Sequence, residues 1–176
     1  MTRYALFLRG VNVGGVNLKM ADVAGALSVA GFGAVRTLLA SGNVLVESTA
    51  DAATVRATAE AALRENFGYP AWVLVYDVAT LREIVAAYPF ATDAPGLHCY
   101  VTFVADDAVL AELAELTRTP GEKAVAGAGV LYWQVPKGDT VTSTVGKTMG
   151  KSRYKSTTTT RNLRTLHKVL DAAAHR

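Results

Sequence analysis

The apolar positions of the first eighty residues switch repeatedly between two spacings. Tyr4–Leu8 is a compact hydrophobic run of strand length. In Lys19–Ala30 the apolar residues Met20, Val23, Leu27 and Ala30 recur at three-to-four spacing, which predicts a helix with one buried face. Gly31 and Gly33 bracket its end, where helices commonly stop. Val35–Leu39 and Val44–Glu47 read as a hairpin with Ser41-Gly42-Asn43 at or beside its turn. Ala52–Asn66 is a second helix, with Val55, Ala59, Ala62, Leu63 and Asn66 along one side and Asp51 as its N-cap. Ala71–Tyr76 completes the series as a fourth strand.

That order, βαββαβ, is the ferredoxin-like split unit. Its strands lie in the order 4-1-3-2 with antiparallel neighbours, so the end of the first strand and the turn between the second and third share an edge. The segment RGVNVGG is therefore expected beside SGN, although the two are distant in sequence. A third helix, about Ala79–Ala87, leads into PFATDAPG, whose prolines and glycine mark a domain boundary. This predicts a ferredoxin-like domain over 1–94 and a smaller α+β domain over 95–176. The latter holds a strand (Cys99–Val104), a helix (Asp107–Thr117, capped by Asp106) and two short strands around Gly127-Ala128-Gly129. Lys137–Thr159 reads as a polar loop with one short helical turn, and Thr160–Ala174 as a basic amphipathic helix docked through Leu163, Leu166, Val169, Leu170 and Ala173. The fold class is α+β, without an internal repeat in the sequence.

Composition narrows the setting. Hydrophobic residues make up 51% of the 176, yet no apolar run approaches the roughly 20 residues that span a bilayer. The start of the chain lacks the pattern of a secretory leader. A cytoplasmic protein without membrane partners is expected. Cys99 is the sole cysteine, which excludes an internal disulfide and a cysteine-rich zinc site, and it reads as a structural thiol. The three histidines, His98, His167 and His175, lack metal-ligand spacing, and no cofactor motif is present; neither metal nor cofactor is expected. The formal net charge of +3 conceals an asymmetry. Residues 1–136 carry 9 Lys/Arg against 13 Asp/Glu, whereas residues 137–176 carry 9 against 2, a net of +7. Such a basic segment suits an anionic partner, or simply keeps the chain soluble.

Three stretches carry candidate chemistry. In LRGVNVGG, Arg9 stands at the mouth of a strand among Gly10, Gly14 and Gly15, whose freedom at positive φ lets backbone N–H groups approach an anion. The same residues also suit a plain turn, in which Asn12 bonds nearby backbone. GKTMGKS, Gly146–Ser152, has only three residues between its first glycine and the final GKS, where a phosphate loop needs four, so NTP hydrolysis is not predicted. Lys147 and Lys151 remain candidates for a mobile basic flap. In TTRNLRTLHKV, Arg161 and Asn162 are expected in the first turn of the terminal helix, where free N–H groups favour anions. No acid–base pair or catalytic triad is legible; Ser41 lacks a base in its local sequence.

LRGVNVGG, SGNVLVES and TTRNLRTLHKV together resemble the signatures of the bacterial domain-of-unknown-function 1697 family, over essentially the whole chain. The resemblance implies an α+β structure and no established activity. It singles out Arg9, Gly10, Asn12, Gly14 and Gly15; Ser41, Gly42 and Asn43; and Thr160, Arg161 and Asn162. Leu163 departs from the family pattern, which usually has tryptophan there. The leading expectation is an anion-binding protein whose ligand is a nucleic acid or nucleotide, held by Arg9, Gly10, Asn12, Gly14, Gly15, Ser41, Asn43, Lys147, Lys151, Arg161 and Asn162. The alternatives are an enzyme acting on a small phosphorylated or carboxylated substrate, and a module that binds a protein partner.

Overall fold

The computed structural model describes residues 1–12, 16–116, 120–140 and 143–175. The chain divides into two compact units, Met1–Arg82 with Val169–Arg176, and Glu83–Lys168. The PFATDAPG stretch falls inside the second.

The first unit contains β1 (Thr2–Leu8), α1 (Met20–Val29), β2 (Gly33–Leu38), β3 (Asn43–Ser48), α2 (Ala52–Phe67) and β4 (Val73–Asp77). Its sheet order is β2-β3-β1-β4, all neighbours antiparallel, which is the expected ferredoxin-like arrangement. One face is the core: Tyr4, Leu6 and Leu8 of β1, Val44 and Val46 of β3 and Val73 of β4 bury against Val23 and Leu27 of α1 and Val55, Ala59 and Leu63 of α2. The alternation of these strand positions follows from the pleat, which sends successive side chains to opposite faces. Asp51 caps α2 by accepting from Thr54 N–H, and Gly68, at φ +64°, ends it in the left-handed conformation that only glycine adopts cheaply.

The second unit begins within α3 (Val78–Ala86). It continues through β5 (Leu97–Val104), α4 (Asp107–Ala114), β6 (Lys123–Ala126), β7 (Val130–Pro136), α5 (Thr144–Met149), a 3-10 turn (Ser152–Tyr154), β8 (Thr158–Asn162) and the start of α6 (Leu163–Ala174). From β5 to β8 the order is again βαββαβ, and the sheet order β6-β7-β5-β8 repeats that of the first unit strand for strand. The repeat reaches single hydrogen bonds. In the first unit Leu8 N–H donates to Gly42 O at 2.9 Å; in the second, Val104 N–H donates to Gly129 O at 2.9 Å. Gly42 and Gly129 both lie at positive φ, +83° and +70°. Inside this unit a buried polar chain crosses the sheet: Trp133 Nε1 donates to Thr102 Oγ1 at 2.9 Å, which lies 2.7 Å from Thr160 Oγ1.

The terminal segment differs from expectation. Thr160, Arg161 and Asn162 belong to strand β8, not to a helical first turn, and α6 starts only at Leu163. Four consecutive threonines favour extended backbone because branching at Cβ crowds a helix, and β5 offers them a partner, with Val101 opposite Arg161 and Tyr100 opposite Asn162. Asn162 is the N-cap, its Oδ1 accepting from Arg164 N–H at 2.8 Å. Helix α4 also closes at Ala114, earlier than the spacing suggested.

Candidate functional site

The corner at the end of β1 is assembled as the topology requires. Asn12, at φ +55°, ties the loop on both sides: its Nδ2 donates to Ala40 O at 2.6 Å and Leu18 O at 3.2 Å, and its Oδ1 accepts from Leu18 N–H at 2.9 Å. Asn43 is fully buried and donates to Leu38 O at 3.0 Å and to Ser41 Oγ at 2.9 Å. Gly42 lies so close beneath that a β-carbon on it would stand 2.8 Å from Leu8 Cβ. RGVN and SGN are thus brought together, and both asparagine amides are committed to backbone and turn partners. Gly14 and Gly15 lie outside the described residues.

Arg9 is the cation of this corner. Its N–H donates to Trp72 O at 3.0 Å, which extends the pairing of Leu8 with Val73 by one residue and sets Arg9 opposite Trp72. Opposed residues of an antiparallel pair project to the same face. Arg9 is half-buried, and that burial lowers its guanidinium pKa from the ordinary value. Trp72 is itself half-buried, with the Arg64 guanidinium 4.6 Å from its ring centroid. Arg64 also donates to Ala71 O at 2.8 Å and faces Glu60 at 3.8 Å. Neither Trp72 nor Arg64 sits in a motif: Trp72 stands opposite Arg9 through β-register, and Arg64 reaches the Trp72 ring from α2. Tyr4 and Phe7, the aromatics of β1, are buried and offer no open ring.

The other candidates lie in the second unit. Arg161 is only 7% exposed, and its Nη1 donates to Thr159 Oγ1 at 2.7 Å and Thr160 O at 2.9 Å, both in its own strand. Gly146 and Lys147 are in helix α5, which removes the phosphate-loop geometry altogether. A methyl group on Gly146 would overlap the Thr140 carbonyl, a packing reason for that glycine. Lys147, Lys151 and Lys155 are exposed, with no ion pair among the described residues, whereas Arg153 is paired with Glu112. Cys99 is half-buried and accepts from Gln134 Nε2 at 3.3 Å. Among the described residues no group of histidine, cysteine or carboxylate side chains is arranged to hold a metal, and no helix is long and apolar enough to cross a membrane.

These features define an α+β protein built from two ferredoxin-like units, one with an elaborated arginine- and glycine-bearing loop. The chain belongs to the family described as Protein of unknown function (DUF1697), whose model matches residues 1–132. The solved structure of conserved bacterial protein SP0830 from Streptococcus pneumoniae matches with a TM-score of 0.83 at 21% identity, covering 99% of this chain and 99% of that one. At that identity the likeness is one of fold. No curated protein matches the chain.

Proposed function

We propose that the protein binds an anionic ligand, a nucleic acid or nucleotide, at the β1 corner of its first unit. One observation carries this reading. Both units connect their first strand to their first helix, yet the second does so with two residues (105–106) and the first with eleven (9–19). The additional length is not demanded by the topology, and loops longer than their frame requires are where binding residues concentrate. It holds Arg9, Gly10, Asn12, Gly14 and Gly15. In this reading Asn12, Ser41 and Asn43 shape the corner, while Gly10 keeps the backbone open. Arg9 meets the phosphate, and Trp72, with Arg64 above it, supplies the aromatic surface that bases prefer. The exposed Lys147 and Lys151 add general attraction for a polyanion; Arg161 and Asn162 act as framework for the second sheet.

The test is fluorescence anisotropy with labelled single-stranded RNA, single-stranded DNA and a nucleoside triphosphate at two salt concentrations. Arg9→Gln should weaken binding about tenfold, as expected for one charge-assisted contact, and lessen the salt dependence for the polymers. Trp72 emission should respond to ligand in the wild type. Unchanged binding in Arg9→Gln, or no binding to any of the three probes at low salt, rejects the reading.

A further inference from the structure

The second unit carries a cavity that the β1 corner does not use. It has a volume of about 210 Å³ and is lined by Thr92, Leu97, His98, Asn162, Arg164 and His167, together with Cys99 and Leu163. The register explains the gathering. Tyr100 pairs with Asn162 in antiparallel strands, so the chain entering α6 runs back past His98, and His167 follows Arg164 at a spacing that puts both on one side of the helix. Among the described residues no carboxylate lines the cavity. Among the described residues the Arg164 guanidinium and the His167 imidazole, both exposed, have no hydrogen-bond or ion-pair partner, and the half-buried His98 ring lies 5.8 Å from the Tyr100 ring, centroid to centroid. Asn162 has its oxygen engaged by Arg164 N–H, which leaves its amide hydrogens as donors. Donors therefore line the cavity from β5, the end of β8 and α6, with no carboxylate among the described lining residues. The contrast with the first unit's cavity is instructive. There Arg3 and Arg36 also line the wall, but Arg3 is bound by Glu47 and Ala173 O, and Arg36 by Ala172 O.

We infer that the β5–α6 cavity is a binding site for the phosphate group of a small molecule, with Arg164, His98 and His167 as its ligands. Arginine presents paired N–H groups that match two phosphate oxygens, and the two imidazoles and the Asn162 amide reach the remaining faces of a tetrahedral anion better than a planar carboxylate's. At about 210 Å³ the cavity is smaller than the roughly 300 Å³ at which ordinary ligand pockets begin. It suits inorganic phosphate or a short phosphomonoester, and excludes a whole nucleotide.

The protein has three histidines, and His175 lies in the other cavity, an internal control. Inorganic phosphate is titrated at fixed pH and ionic strength while the histidine ring C–H signals are followed by NMR. His98 and His167 should shift in a saturable way and His175 should not. Arg164→Gln should raise the half-saturation concentration about tenfold; Arg9→Gln should leave it unchanged, which separates this site from the β1 corner. A parallel titration with glycerol phosphate assigns the source: tighter saturation than phosphate means a phosphorylated metabolite, and equal saturation means the free ion. The inference is overturned if all three histidines drift together without saturation, if acetate reproduces the shifts, or if Arg164→Gln binds as well as the wild type.

Discussion

Two motif glycines have the same backbone sign and opposite surroundings, which makes them a direct test of how the β1 corner is held. Gly10 (φ +72°) has nothing within 4 Å of where a β-carbon would stand, whereas Gly42 (φ +83°) would place one 2.8 Å from Leu8 Cβ. Alanine at either position incurs the left-handed penalty of about 1–2 kcal/mol. Part of this is returned because alanine restricts the unfolded chain, worth about 0.4–1 kcal/mol. Gly10→Ala should therefore lose about 1 kcal/mol. At Gly42 the added methyl also overpacks a site that cannot yield. Leu8 Cβ is fixed by the pairing of Leu8 with Val73 and by the Leu8 N–H bond to Gly42 O. Overpacking adds about 1–3 kcal/mol, so Gly42→Ala should lose about 2–4 kcal/mol. Gly129, the counterpart in the second unit, would bring its methyl only to 3.8 Å from Val104 O and should behave like Gly10. Urea unfolding followed by circular dichroism, with midpoints compared at a common slope, measures all three. Equal losses at Gly10 and Gly42, or a larger one at Gly10, would refute the steric account of the corner.

Thr102→Val removes the hydroxyl between Trp133 Nε1 and Thr160 Oγ1 in a fully buried position, leaving both without their partner. A loss of about 2–3 kcal/mol is expected, visible as a lower thermal midpoint. Arg161→Ala should cost stability, about 1–3 kcal/mol for a buried guanidinium's hydrogen bonds, while the salt dependence of nucleic-acid binding stays at the wild-type value. A shallower slope would instead return Arg161 to the ligand. Burial pushes the Tyr76 phenol up to about 12, against the opposing pull of the Arg56 guanidinium. Because the unfolded phenol ionises near 10, its contribution is fully present below that pH and is lost as the pH rises through about 12. Unfolding free energy should fall across that window, by about 2–3 kcal/mol from this group, and Tyr76→Phe should flatten the fall. Asp77→Ala removes the carboxylate that accepts from Thr80 N–H and Oγ1, both at the start of α3, and should cost about 1 kcal/mol in thermal unfolding.

The first unit was legible because its elements are separated by glycines and by caps that act locally. Asp51 can be read as the cap of α2 from its neighbouring residues alone. The repeat in the second unit was hidden for physical reasons. Its second helix, α5, has six residues, too few to show a 3.6-residue period, and includes Gly146. Its last strand runs without a break into α6, so a threonine run that favours strand sits against a strongly amphipathic helix, and the helical pattern absorbed both. What separates them is the Asn162 cap, and an asparagine directly before Leu163 is indistinguishable from an ordinary polar position until β5 is seen alongside. Trp72 was illegible for a different cause: its place opposite Arg9 depends on strand register, which no local pattern carries, and Arg64 follows only through its contact with the Trp72 ring.

The repeated topology also decides which motif residues answer to the fold. Where the same feature occurs in both units, such as the strand-end N–H bonded to a left-handed glycine in the hairpin turn, the architecture itself accounts for it, and no ligand need be invoked for Gly42. Where one unit departs from the other, the fold supplies no reason. The first unit departs in the loop after β1; the second departs between β7 and β8, where a short helix and a 3-10 turn replace the 16-residue helix of its counterpart and where Lys147, Lys151 and Lys155 lie exposed. Both departures carry cations, and the sequence marks both, the first by its glycine-rich motif and the second by its basic composition. Arg161 has the reverse character: it stands in a motif, yet it is buried and hydrogen-bonded in a strand that the topology requires. A residue's membership in a motif is thus a weaker guide to binding than its excess over the shared frame, and by that measure Arg9 is the residue to substitute first.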